Sequence, residues 1–387
     1  MGGKRRGKSQ PGRRRGGKGA SARAIGVGDL ASYRGYAFAW FSEAATLLLA
    51  HCSLEDLRNK GVGSVVPELL QSLSAKMAAK KGKIIDPKTE RPLPFAAKDP
   101  KDRMTLEFAL QTLQGLTEGR QLGDLSPPSA LSLDFAEFTR RNMGRGRLKR
   151  DAFRIGEDVL ALSLVGAYLT RAYRVQAEGE RWEYGYILVN VRSPALAAAM
   201  LDRAQAGVHG VARRVVEGGG GLFPILVGAA AAIARALGGQ LREVAKSPLL
   251  VEYLRLSTVT ETETPGRRPK KGGLPGKPPK KVMAKGFDVF DVTGLAMLLR
   301  RRGIAGTVYW LVRSFPREGY NNYRGFVQSL SEGLAKYHMY RRPEHLYAPL
   351  RALCSRDLQA EATELFGAQW QVLSQRIQDG LSRLAGL

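Results

Sequence analysis

Apolar positions recur at helical spacing along most of this chain, and in two stretches the period shortens to two. From about Leu30 to Arg58 the spacing predicts a helix whose apolar content is Tyr33, Tyr36, Phe38, Trp40, Phe41 and Leu47–Leu49. A second helix is predicted over Ser64–Lys80. Residues 82–102 hold Pro87, Pro92, Pro94 and Pro100 and read as an irregular excursion. Helices follow near 103–119 and 132–143, with Asp102 and Asp134 as candidate caps, and again near 155–167. Tyr168–Gln176 and Trp182–Val191 are rich in β-branched and aromatic residues, and the turn Ala177–Arg181 joins them into a predicted hairpin. An Ala-rich helix opens at Pro194 and runs to about Gly207. Gly218–Gly221 then leads into an apolar helix over 222–237.

A second hairpin is predicted from Leu249–Thr262 and Lys281–Asp291, both of strand composition. Its tip, 263–280, is nearly all Pro, Gly, Lys and Arg and can form no core. It reads either as a cationic finger anchored on a sheet or as an unstructured insertion with incidental charge. Beyond Asp291, a candidate helix cap, the pattern is wholly helical: to Arg302, then 305–314, 321–340, 343–355 and 357–385. The prediction is an α+β fold: a mixed helical and antiparallel-sheet body at 25–291 and a carboxyl-terminal helical bundle at 292–387. Residues 1–24 form a basic tail with nothing to bury, expected to be disordered until bound.

Charge changes this picture. The 387 residues carry 61 Lys and Arg against 35 Asp and Glu, a formal net charge of +26. Nine cations fall in residues 4–23 and eight in 265–287, with no acid in either run. Without those seventeen, +9 remains, so the rest of the chain is basic too. Such an excess repels itself in a compact state unless a polyanion compensates it, and phosphate backbones are the commonest such partner. A third basic cluster comprises Arg140, Arg141, Arg145, Arg147, Lys149 and Arg150, broken by Gly144 and Gly146. Those glycines would let the backbone approach a phosphate closely.

Chemistry of other kinds finds little support. Gly2–Ser9 fits the phosphate-loop pattern GxxxxGK[ST], but only a methionine precedes it where a buried strand is required. Gly218–Gly221 has no GxGxxG continuation. His51, His209, His338 and His345 show no metal-ligand spacing, and Cys52 and Cys354 form neither a ligand pair nor a disulfide framework. Their sparseness suits a reducing, cytoplasmic compartment. The apolar stretch from Leu222 to Ala234 is shorter than the ~20 residues a membrane span needs and reads as a core helix. No catalytic residue, cofactor or metal is expected. The scarcity of asparagine, with five in all, fits a thermophilic source or GC-rich coding equally. Tyr320-Asn321-Asn322-Tyr323-Arg324 interleaves aromatics with a cation, so Tyr320 and Tyr323 are candidates for stacking on unpaired bases and Arg324 for holding a phosphate. The same residues suit a capped amphipathic helix packed on its neighbours. The hairpin-tip candidates are Arg267, Arg268, Lys270, Lys271, Lys277, Lys280 and Lys281.

Three segments carry a family resemblance: Glu252–Leu256, Lys285–Leu295 (Lys-Gly-Phe-Asp-Val-Phe-Asp-Val-Thr-Gly-Leu) and Arg342–Tyr347 (Arg-Pro-Glu-His-Leu-Tyr). Together they resemble the large subunit of the archaeal type I-A CRISPR interference complex, over roughly residues 245–355. The basic tail and the 263–280 tip fall outside that pattern. The resemblance implies a non-catalytic subunit of an antiviral ribonucleoprotein. Its partners would be guide RNA, target DNA, the other subunits and the helicase-nuclease. In such complexes base pairing supplies most sequence discrimination, while protein supplies cationic channels and short-motif contacts. Two other classes remain open: a stand-alone or ribosome-associated RNA-binding protein, and a metal-dependent nuclease with dispersed carboxylates.

Overall fold

In the computed structural model, residues 24–78, 86–96, 98–135, 153–177, 181–193, 196–260 and 280–386 are described. The apolar run after Tyr36 forms helix α1 (Ala37–Ala50), which is buried along nearly its whole length. It is shorter than the 30–58 spacing predicts because His51 takes a left-handed conformation at φ +49°. Ser53 then caps a new helix, α2 (Leu54–Lys60), exchanging hydrogen bonds with Asp56. Helix α3 (Val62–Ala78) follows. Helix α4 (Leu106–Thr117) is capped by Thr105, whose hydroxyl accepts from Phe108 N at 3.2 Å. Asp102 lies in a preceding 3-10 turn and does not cap it.

Asp134 bridges through its backbone to Tyr36, and Phe135 N donates to the Gly35 carbonyl at 2.7 Å, so residues 132–135 are not helical. The rest of the predicted 132–143 helix, and with it the role of Asp134 as its cap, lies outside the described residues. A two-residue antiparallel ladder, β1 (Asp124–Leu125) with β2 (Ile155–Gly156), leads into helix α5 (Glu157–Thr170). Helix α5 packs closely on α1. At Gly166 a Cβ would run into the Phe41 carbonyl, so only glycine permits this approach.

Four antiparallel strands form the main sheet in the order β3 (Arg171–Ala177), β4 (Arg181–Val191), β5 (Leu249–Thr260) and β6 (Lys280–Asp291). Both predicted hairpins form. Tyr186, Glu252 and Phe287 meet α1, with Phe41 5.1 Å from Tyr186 and Trp40 5.8 Å from Phe287, ring to ring. Trp40 and Asn190 both donate to the buried Glu252 carboxylate, satisfying its oxygens. Beyond Tyr186, strand β4 outruns its pairing with β3. Helix α6 (Ala198–Glu217) closes that edge: Gln205 accepts from Val189 N at 2.8 Å and donates to the Ile187 carbonyl. Helix α6 continues ten residues past Gly207. That glycine does not end the helix; it lets α6 press against Ala232.

Helix α7 (Leu222–Leu237) lies at the centre of the second half, with Ala229–Ala234 all buried. Gly228 admits Val211 and Val312, whose nearest atoms would lie 2.5 and 2.9 Å from a Cβ there. The run Leu222–Val244, which includes a short helix α8 (Leu241–Val244), is long and apolar enough to cross a membrane; most of it is buried inside this fold. Around α7 sit α6, α9 (Thr293–Arg301), α10 (Ala305–Arg313) and α11 (Asn321–Tyr340). Helices α12 (Tyr347–Ala352), α13 (Arg356–Phe366) and α14 (Gln369–Ala385) complete the carboxyl-terminal region. A 3-10 turn, Pro343–Leu346, precedes α12, and Gly367 at φ +58° splits the predicted 357–385 helix. One hydrophobic cluster runs from Ile25 to Leu384, so the change from strand to helix at residue 292 is no gap in the core.

Candidate nucleic-acid interface

Of the basic residues singled out by sequence, Arg140, Arg141, Arg145, Arg147, Lys149, Arg150, Arg267, Arg268, Lys270, Lys271 and Lys277 lie outside the described residues. Lys280 opens β6 opposite Thr260, and the exposed Lys281 is paired in register with Val259. The hairpin that would carry the cationic tip is therefore formed at its base.

Within the Tyr320–Arg324 segment, the stacking role of Tyr323 is corrected by the structure. Tyr323 is fully buried, its ring packed edge-on to Phe366 and Trp370, and its hydroxyl donates to the Leu311 carbonyl at 2.7 Å. It cannot stack on a base. Tyr320 donates to Glu364 at 2.8 Å, which holds its hydroxyl above the ordinary tyrosine range, the hydrogen bond being the main cause. Arg324 donates to the Gly218 carbonyl and lies 5.8 Å from the Phe315 ring centroid, tying α11 to the end of α6. Glu361 accepts from Asn322 Nδ2 at 2.8 Å and Tyr323 N at 2.9 Å, capping α11. The segment is an anchored helix start, as the amphipathic-helix alternative has it.

Cations gather elsewhere. A groove of about 600 Å³ opens between α6, α10 and the turn after α10, with Arg213, Arg214, Arg313, Trp310, Phe315 and Leu365 among its lining. Trp310 is 47 % exposed. The guanidinium carbons of Arg235 and Arg313 stand 5.5 and 5.6 Å from its ring centroid, and 4.9 and 5.7 Å from that of Tyr309. Arg313 also donates to the Tyr309 hydroxyl at 2.9 Å. Three residues after Arg235, at Gly238, α7 turns into a second depression of about 430 Å³, lined by Gly238, Gly239, Arg242, Arg300 and Arg301. Arg235 thus stands between two arginine-lined hollows.

Among the described residues no carboxylate lines either hollow, and none pairs with Arg214, Arg235, Arg242, Arg300, Arg301 or Arg313. The acid beside them, Glu217, is shared by Arg213 at 3.0 Å and Arg317 at 2.8 Å. Desolvation pushes the Glu217 carboxyl up, but these two hydrogen-bonded guanidiniums outweigh it and hold the group below the usual carboxylate range. Glu217 is therefore already matched by two cations.

Helix dipoles are the ordinary explanation for such arginines, since Arg214, Arg235, Arg300, Arg301 and Arg313 all fall in last helical turns. Each helix end calls for about half a positive charge. The four ends together thus ask for roughly two charges, fewer than the arginines present. The surplus faces solvent.

Sequence reasoning missed this surface. Arg213-Arg214 and Arg300-Arg301-Arg302 stood as signals, but they are interleaved with apolar positions and become one surface only when α6, α9 and α10 converge on α7. Elsewhere, Glu43 is pushed up by burial, an effect that its ion pairs with Arg192 and Arg34 only partly offset. Among the described residues no group of three or more His, Cys, Asp or Glu side chains gathers that could hold a metal ion. Compared with family models, with curated protein sequences and with solved structures, the chain matches none.

Proposed function

We propose that this chain is a nucleic-acid-binding protein that acts without catalysis of its own, as the large subunit of a ribonucleoprotein of the type I-A CRISPR kind. It would hold guide RNA and target DNA in antiviral defence in the cytoplasm, beside other subunits and a helicase-nuclease. The observation that carries the binding role is the double hollow around the end of α7, where six arginines stand without carboxylate partners in a chain of net charge +26. Exposed cations left unpaired by the protein's own acids are the electrostatic footprint of a polyanion partner. The narrower role is supported by the Glu252–Leu256, Lys285–Leu295 and Arg342–Tyr347 segments. Two of these lie in the β5–β6 hairpin and the start of α9, and the third in the turn after α11.

Co-purification from the native cell, with sequencing of bound RNA, tests both levels. Recovery of repeat-derived guide RNA with partner subunits is the expected result. Recovery of ribosomal or other structured RNA with the chain alone would replace the subunit role by a stand-alone RNA-binding one. Recovery of no nucleic acid would overturn both.

A further inference from the structure

We infer that Trp310 is a stacking platform for an unpaired base, so that the groove between α6 and α10 takes single-stranded nucleic acid in preference to duplex. This rests on the nucleic-acid-binding role and specifies the form of the ligand. A tryptophan is a costly residue to leave in water, yet Trp310 remains 47 % exposed with two guanidiniums within 5.6 Å of its ring centroid. It lies in a concavity of about 600 Å³, within the range of sites that enclose a small ligand. Phe315 and Leu365 give that concavity an apolar lining, while Arg213, Arg214 and Arg313 supply its charge.

The combination is selective. A duplex presents phosphates on a convex surface and keeps its bases stacked on one another, so its rings cannot reach an indole inside a hollow. A single strand can turn one base onto the ring while Arg235 and Arg313 meet the flanking phosphates. Base–aromatic stacking with arginine alongside is how sequence-tolerant single-strand binding is built. A docking protein that used Trp310 as an anchor would instead have to bring acidic side chains to the same arginines, and would leave the affinity for a single strand indifferent to Trp310.

The experiment measures binding of the purified full-length chain to a labelled 20-nucleotide single strand and to a 20-base-pair duplex by fluorescence anisotropy. Trp310→Ala should weaken single-strand binding by roughly 5- to 150-fold, the range that loss of one stacked base produces. Duplex affinity and the salt slope should stay unchanged. Trp310→Phe, which keeps a stacking face, should retain most of the affinity. It should also abolish the quenching of tryptophan emission that the wild type shows on binding. Trp40 and Trp370 are buried in the core, and Trp182 is half-buried under the Arg174 guanidinium on the β3–β4 hairpin. Equal losses for single strand and duplex, or no loss for either, would overturn the stacking role while leaving nucleic-acid binding intact. A wild type that binds neither strand would overturn both.

Discussion

Single side chains decide how closely the helices approach and which groups are free to act. Gly166 is one such position, because a Cβ there meets the backbone carbonyl of Phe41, which cannot swing aside as a side chain would. Gly166→Ala should therefore cost about 1–3 kcal/mol, the usual penalty for overpacking a core, read as a lower urea midpoint with an unchanged slope. His338 is another. Its Nδ1 is buried with no hydrogen-bond partner among the described residues. Burial first, and then the Arg341 charge, hold its pKa below the ordinary value of 6.5, while Asp291 opposes them. The folded state thus takes up a proton less readily than the unfolded chain, and stability falls as pH drops through 6.5 toward the lowered value. Thermal melts between about pH 7 and 5 should fall more steeply for the wild type than for His338→Gln. Parallel profiles would show that the imidazole is not the group responsible.

Helices and strands show what a linear pattern can and cannot specify. Both hairpins, the apolar α7 and the 321–340 helix were legible because periodicity and turn residues report local backbone preference. Breaks at His51 and at Gly367 were not, since a single left-handed residue leaves little trace in a hydrophobic pattern. The aromatic start of α11 left two readings open for a related reason. Composition cannot tell a tyrosine that faces solvent from one packed against Trp370, and the partners Glu361 and Glu364 lie some forty residues away. Removing the α11 cap with Glu361→Ala should cost about 1 kcal/mol of stability while leaving nucleic-acid affinity unchanged. A marked loss of binding in a still-folded variant would restore the segment to the interface. The β5–β6 hairpin makes the opposite prediction. Neutralising Lys270, Lys271, Lys280 and Lys281 together should flatten the salt dependence of binding by up to about four units of slope, one for each phosphate left unneutralised. An unchanged slope would remove the hairpin from the interface.

Taken as one particle, the protein joins its strands and its carboxyl-terminal helices through a single core, and uses α7 as the common support for the arginine-bearing helix ends. The basic character was plain in the sequence, but the place where it concentrates was not, because it depends on how distant helices converge. A net charge of +26 leaves repulsion that only a polyanion or salt can relieve. The affinity of the intact chain for nucleic acid, followed across salt concentration, probes that directly. If six to ten phosphates are met, affinity should fall by about 10³–10⁵ between 50 and 200 mM salt, linearly on logarithmic axes. Binding that is undetectable at low salt, or indifferent to salt, would contradict a cationic interface built for a polyanion.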